Sequence, residues 1–520
     1  MAAGSMTAPA EASLPPIGLS RSDILVFVCF CLAGSFAYLA ILTNGSFDMG
    51  ARETLDRAYD AYAQTLLAGR LDVSRDVIGN EGFYVDDKVY LYYGILPALL
   101  RLPFLLVGMA SPGPRLFVWI EAAAAATLFH LTLARILAAT CPPIGKPGNG
   151  AFALMAGIAA WIASPCLLLV SNASIYHEPI GVALVCTGGI FLLLSGPIAS
   201  ALGGQVSQLS TARLTAIATL AGLSLHARPT LAVGLFLLTG LLCLWTLADP
   251  RAEEHGLLGR LLHAVRKSFL PGTMLAIAIA AFMFINWLRF GDPMSAGPLR
   301  YYGYYLFLEG NSPRMQTFFE QGRFQALRLI PNALVHAFGA YQVHEPLTKL
   351  LRIGVLRLES PLHGMLLIWA PVVIMSVFGT GHLIGLLRRR RICGLWLAGI
   401  GITLAVSLVI MLCYSTVTLR YKFEMWPALF FFAAIGLVER LGASAEKSRD
   451  PKASRSAVSF APVSLVFIGT VVLAAFYSSR CIEQYKSMPL FNGDPTDSIF
   501  QTGPNGVIVP PPLRGVSGAS

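Results

Sequence analysis

The chain has 520 residues, of which 55% are hydrophobic and only 13% charged, and its mean hydropathy is +0.65. A water-soluble domain cannot bury that much apolar side chain, so the composition excludes one and points to a polytopic, all-α membrane protein. The net charge of +10 does not signal nucleic acid, because the basic residues gather in short loops between apolar runs, where Lys and Arg set orientation and meet anionic headgroups.

In chain order, residues 1–21 are rich in Ala, Pro and Ser and read as a disordered stretch, cytoplasmic if eleven of the segments below cross. The run Ile24–Leu42 is too long for a signal-peptide core and no small-residue cleavage site follows it, so it reads as an anchor. Twelve apolar segments are predicted: 22–43, 92–110, 115–139, 151–171, 177–196, 212–227, 229–248, 269–288, 362–386, 393–414, 421–441 and 457–477. Most are long enough for the roughly 30 Å of a bilayer's hydrocarbon. Polar segments 44–91 and 290–361 interrupt them, and 479–520, rich in Pro and Gly, reads as an irregular external tail.

Basic loops at 249–268, 387–392 and 442–456 are predicted to be cytoplasmic, which puts 290–361 and 415–420 outside. Charge alone leaves the N-terminal half open. Twelve crossings place 44–91 in the cytoplasm; eleven place it outside. The weakest span is 92–110, which contains Pro97, Arg101 and Pro103, and 212–227 is also short. Nine cysteines contain no CxxC and no zinc-like His/Cys spacing, and most lie within apolar runs as small buried hydrophobes.

The loop 44–91 carries most of the acids, Asp48, Glu53, Asp56 and Asp60 among them. Within it 54–68 is predicted to be an amphipathic helix. Leu55, Tyr59, Tyr62, Leu66 and Leu67 form its apolar stripe, Asp56 and Asp60 share a face, and Gly69 ends it. Carboxylates on an interfacial helix suit a general base at a membrane surface, and equally a solvated acidic face. The stretch 84–104, YVDDKVYLYYGILPALLRLPF, begins with the alternation of a hairpin arm. SNASIYHEPIGV, 171–182, sets His177 and Glu178 at the junction of two apolar runs, where an acid beside an imidazole must be paired or wetted. Arg228 in LSLHARPTL, Arg289 in NWLRFGDPMSAG, and Arg420 and Lys422 in STVTLRYKFEMWP sit at ends of spans. Singly each reads as a helix-end charge; together they suit an anionic lipid headgroup. No phosphate-binding glycine loop, serine-nucleophile or zinc-protease motif appears in a fitting context.

The order of YDAYAQTLLAGRLDV, VYLYYGILPALLRLP, IYHEP, HARPT, NWLRFGDPMSAG and LRYKFEMWP resembles the GT-C superfamily of integral-membrane glycosyltransferases. The likeness is greatest to bacterial relatives of protein O-mannosyltransferases and lipid A aminoarabinose transferases, and it covers most of the chain. It implies a GT-C fold with about 11–12 transmembrane helices, a polyprenyl-phosphate-sugar donor, and a glycan, lipid or protein acceptor. It implies a site on the external face of the bacterial inner membrane, with 44–91 and 171–178 both outside and 92–110 not crossing. An Asp of the first external loop would be the base. Asp60 fits by its distance from Gly69, while Asp56 fits the aminoarabinose-transferase spacing except that Arg57 follows it, so Asp60, Asp56 and Asp48 all stay open. His177 and Glu178 would form a second acidic site, and Arg228, Arg289, Arg420 and Lys422 would hold the lipid phosphate. The chemistry requires no cofactor and leaves room for a divalent metal. A flippase or transporter of lipid-linked saccharides, and a polysaccharide polymerase or ligase, are the competing readings.

Overall fold

The computed structural model describes residues 20–51, 53, 55–91, 94–140, 149–248, 256–295, 297–303, 306, 319–354, 357–358, 363–449 and 460–487. Among these, eight helices are long and apolar enough to cross a membrane: Arg21–Leu42, Pro114–Thr140, His177–Leu202, Pro229–Ala248, Gly256–Phe290, Ala370–Arg389, Arg391–Leu412 and Leu419–Leu441. The chain is an all-α, multi-pass membrane protein. Helices Arg21–Leu42 and Gly256–Phe290 turn Leu25, Leu32, Phe36, Phe269, Ile277 and Phe284 outward, surface that only lipid can cover.

Several predicted segments take another form for identifiable reasons. The apolar segment 92–110, expected not to cross, forms two short helices, Leu96–Leu99 and Leu102–Leu106, each with a proline in its first turn. Pro103 has no N–H to continue a helix through Arg101, so the chain breaks there. The segment 151–171 divides into Asn149–Trp161 and Pro165–Leu169, with Ser164 capping the second at 3.2 Å. The segment 212–227 is the 15-residue helix Thr211–Leu225. The tail expected to be irregular from 479 instead continues the helix Phe460–Ser487. Ser478, Cys481 and Tyr485 are buried at helical spacing there. Residues 1–19 and 488–520 lie outside the described residues.

The helix Pro114–Thr140 packs along His177–Leu202, and Ala370–Arg389 along Trp426–Arg449. Phe129, Phe191 and Phe430 close the space between pairs, with Phe430 centroids 4.7 and 5.0 Å from the other two rings. Small residues bring the second pair into backbone contact. A Cβ on Gly379 would lie 1.8 Å from the Phe432 carbonyl oxygen, and one on Gly436 2.0 Å from that of Met375.

The loop 44–91 folds as the helix Ala58–Leu67 over a small sheet, in which the strand Lys88–Tyr90 pairs antiparallel with both Asp72–Val73 and Phe83–Val85. The hairpin arm expected near 84 is the pair Phe83–Val85 and Lys88–Tyr90. The region 290–361 supplies helices Leu329–Phe338 and Tyr341–Leu350.

The close helix pair generates a stability prediction. Gly379→Ala and Gly436→Ala should each cost about 1–3 kcal/mol, as overpacking does. Gly240→Ala, with open space around it, should be neutral. Thermal unfolding of the detergent-solubilised protein reads the difference.

Candidate active site

The helix Ala58–Leu67 is held by its apolar face. Ala58, Tyr59, Tyr62 and Ala63 are buried against Val89, Leu91, Ala98 and Ile175, and the Tyr59 hydroxyl donates to the Ile175 carbonyl at 3.3 Å. Asp60 stands beside this face in the first turn, where the helix dipole favours an anion. Its side chain is 25% exposed.

Arg101, at the break between the two short helices, is fully buried. Its Nε donates to Asp60 Oδ1, its Nη1 to Glu178 Oε1, and its Nη2 to Glu178 Oε2 at 3.0 Å. Nη1 also reaches the Pro97 carbonyl at 2.9 Å. The guanidinium carbon lies 4.3 Å from the Phe117 ring centre and 5.4 Å from that of Tyr59. Burial works against the charge, but Glu178 and Asp60 outweigh it, so the Arg101 pKa stands above its ordinary value. Ser111 Oγ donates to the same Asp60 Oδ1 at 2.7 Å. Asp60 Oδ2 has no hydrogen bond among the described residues.

The three candidate aspartates are thus separated. Asp60 alone joins Glu178, through Arg101. Asp56 does not share a helical face with it, which corrects the expected 54–68 helix. Leu55 adopts φ 58°, the chain reverses, and helix begins only at Ala58. The Asp56 carboxylate there accepts from the Glu53 backbone N–H at 3.3 Å. Asp48 is exposed and its carboxylate caps Gly50 at 2.9 Å, while its backbone oxygen takes Arg115 Nη1 at 2.6 Å. Arg115 also pairs with buried Glu53 at 2.7 Å. Burial pushes the Glu53 carboxyl up from its ordinary value, against the pull of Arg115.

His177 and Glu178 open the helix His177–Leu202 and are both buried. They do not act as a pair. Glu178 faces Arg101, whereas His177 Nδ1 lies 3.3 Å from Ser174 Oγ. Behind Glu178, Glu121 is buried against Gly181, and its carboxyl oxygens have no hydrogen-bond partner among the described residues.

The four expected phosphate ligands have different surroundings. The Arg228 charge is answered by Glu424 at 2.6 Å, with Thr230 donating to the same carboxylate. Arg289 is buried, donates to the Tyr62 hydroxyl and leaves Nε without a partner among the described residues. Arg420 lies over the Tyr176 ring at 3.8 Å. Lys422 is fully buried and donates to the His363 carbonyl, and no carboxylate pairs with it among the described residues. Arg289 and Arg420 each lie against a tyrosine of one apolar cluster, Arg289 against the buried member Tyr62 and Arg420 against Tyr176 at its edge. A polar cavity of about 620 Å³ opens on the same helix, lined by Gln64, Thr65, Arg70, Asp72, Arg75 and Tyr84 among others. Asp60 does not line it but sits one helical turn from Gln64, on the same side.

The sequence reading missed Arg101, Ser111 and Glu121 as site residues. The signal for Arg101 was an arginine between two prolines inside an apolar run, where an unpaired charge is too costly to keep. Arg101→Leu should destabilise the fold by about 3–5 kcal/mol, because it strands the buried Glu178. Adding Glu178→Gln should recover part of that loss. Arg70→Leu, which breaks an exposed pair with Asp72, should change the unfolding temperature little.

The chain matches no protein-family model and no curated protein. Among solved structures it is similar to the oligosaccharyltransferase of Archaeoglobus fulgidus in the apo form, at 12% identity and a TM-score of 0.48, over 88% of this chain and 56% of that one. The same values hold for the archaeal oligosaccharyltransferase AglB of that organism in complex with an inhibitory peptide and a dolichol-phosphate. ArnT from Cupriavidus metallidurans bound to undecaprenyl phosphate is similar at 14% identity and a TM-score of 0.42, over 89% of this chain and 76% of that one. The chain spans little more than half the length of the oligosaccharyltransferase chain.

Proposed function

We propose that the chain is a membrane glycosyltransferase, with Asp60 as general base. It moves a sugar from a polyprenyl-phosphate-linked donor to an acceptor hydroxyl at the external face of a bacterial plasma membrane. The observation that carries this reading is the tethering of Asp60. A buried guanidinium and a serine hydroxyl hold Oδ1, and Oδ2 is left without a hydrogen bond among the described residues on a partly exposed side chain. A carboxylate that only balanced charge would not need one oxygen fixed and the other open; a base needs both a set direction and a vacant lone pair. The sequence resemblance to GT-C glycosyltransferases supplies the reaction class.

In the proposed step the acceptor oxygen attacks the anomeric carbon and the bond from that carbon to the phosphate oxygen breaks. Asp60 Oδ2 takes the acceptor proton. The lipid phosphate leaves as a stable anion and needs no acid. Arg289, Arg420 and Lys422 stabilise the charge that develops on it. Arg228, already matched by Glu424, positions Glu424 and Tyr421 and does not bind phosphate. The acceptor approaches across the polar cavity beside Gln64, which suits a hydroxyl-rich ligand better than an apolar one.

The test uses release of polyprenyl phosphate from a panel of synthetic polyprenyl-phosphate hexoses and pentoses, with the protein in lipid nanodiscs. Asp60→Asn should lower turnover by about 10²–10⁴-fold, the usual contribution of a general base, in a protein that still unfolds cooperatively, at a somewhat lower temperature because buried Arg101 loses one of its two carboxylates. Asp56→Asn and Asp48→Asn should retain most activity. Full activity in Asp60→Asn overturns the base assignment, and a panel that the wild-type protein leaves untouched overturns the donor class.

A further inference from the structure

Two carboxylates that converge near a membrane surface raise the question of what holds them together. A divalent cation is one answer, and it requires several oxygens free to approach to about 2.0–2.6 Å. Here those oxygens are already committed. Glu178 gives Oε1 and Oε2 to the two terminal nitrogens of Arg101, and Asp60 gives Oδ1 to Nε and to Ser111 Oγ. Asp60 Oδ2 remains, and cannot chelate alone; the Glu121 oxygens, unpartnered among the described residues, are buried against Gly181, behind the Glu178 carboxylate that Arg101 already holds. His177, the nearest nitrogen ligand in sequence, is turned to Ser174. No group of three or more His, Cys, Asp or Glu side chains could hold a metal among the described residues.

We propose that Arg101 takes the place of a divalent cation at this site, so that the Asp60–Glu178 pair binds no metal and works without one. The inference rests on the chemistry being sited at Asp60, as proposed above. Arg101 suits the role physically. Its planar fork makes the bidentate contact with Glu178 that a point charge could not. It stays protonated at any accessible pH, and no chelator can remove it. The Phe117 and Tyr59 rings lie against it, and it is fully buried.

The test needs no substrate. Mn²⁺ alone is titrated into the purified full-length protein in nanodiscs and its binding is followed by electron paramagnetic resonance. The wild-type and Asp60→Asn proteins should give superimposable titrations. Arg101→Gln should gain a stoichiometric Mn²⁺ site, and Arg101→Gln with Glu178→Gln should lose it again. A wild-type Mn²⁺ site that Asp60→Asn abolishes overturns the proposal, and so does a folded Arg101→Gln protein that gains none. If Arg101→Gln does not fold, the wild-type and Asp60→Asn comparison decides alone. Because the readout is metal binding, a wrong assignment of the transfer reaction leaves this result unaffected.

Discussion

The buried guanidinium of Arg101 ties together three parts of the molecule that the sequence keeps apart. It joins the first-loop helix at Asp60, the break between two proline-led short helices, and the start of a membrane helix at Glu178. A fully buried cation is costly unless its partners are close and well aimed. The cost makes the arrangement rigid: any drift of the Ala58–Leu67 helix would strand a charge. The position of Asp60 therefore depends less on its own helix, only ten residues long, than on this three-way ion contact.

The rest of the fold supports that contact. The helices Pro114–Thr140 and His177–Leu202 supply Phe117, Glu121 and Glu178 from two packed rods. Gly94 lets the chain before Arg101 run against the His226 carbonyl, where a Cβ would lie only 1.9 Å away. Leu96 then donates to that same carbonyl at 3.0 Å. The region after the Thr211–Leu225 helix is thereby brought to the site. The cations divide by whether a carboxylate answers them. Arg101, Arg115 and Arg228 are neutralised and structural in effect. Arg289 and Lys422 are buried with no carboxylate partner among the described residues, which is the state expected of groups that await an anion.

Much of this was legible in the sequence, with physical limits. Apolar runs longer than a bilayer is thick identify most of the long helices, because hydropathy reports burial in lipid directly. The periodicity of Tyr59, Tyr62 and Leu66 locates the loop helix, and DRAYDAYAQTLLAGRLDV offers Asp56 and Asp60 without choosing between them. Periodicity could not show that Leu55 takes a left-handed turn, which removes Asp56 from the helix. It also could not show the pairing of Arg228 with Glu424, separated by 196 positions. Arg101 was visible only as a defect in a span. Its partners lie 41 and 77 residues away, and contacts at such separations follow from packing, which no local pattern encodes.

The most direct measurement is a high-resolution structure of the full chain with a polyprenyl phosphate bound. The account predicts the lipid phosphate against Arg289 and Arg420, Asp60 Oδ2 clear of the phosphate and open to an incoming acceptor hydroxyl, and Arg101 still holding both Asp60 and Glu178. A phosphate bound away from the Ala58–Leu67 helix, or an Arg101 released from Asp60 to bind the phosphate itself, would contradict it.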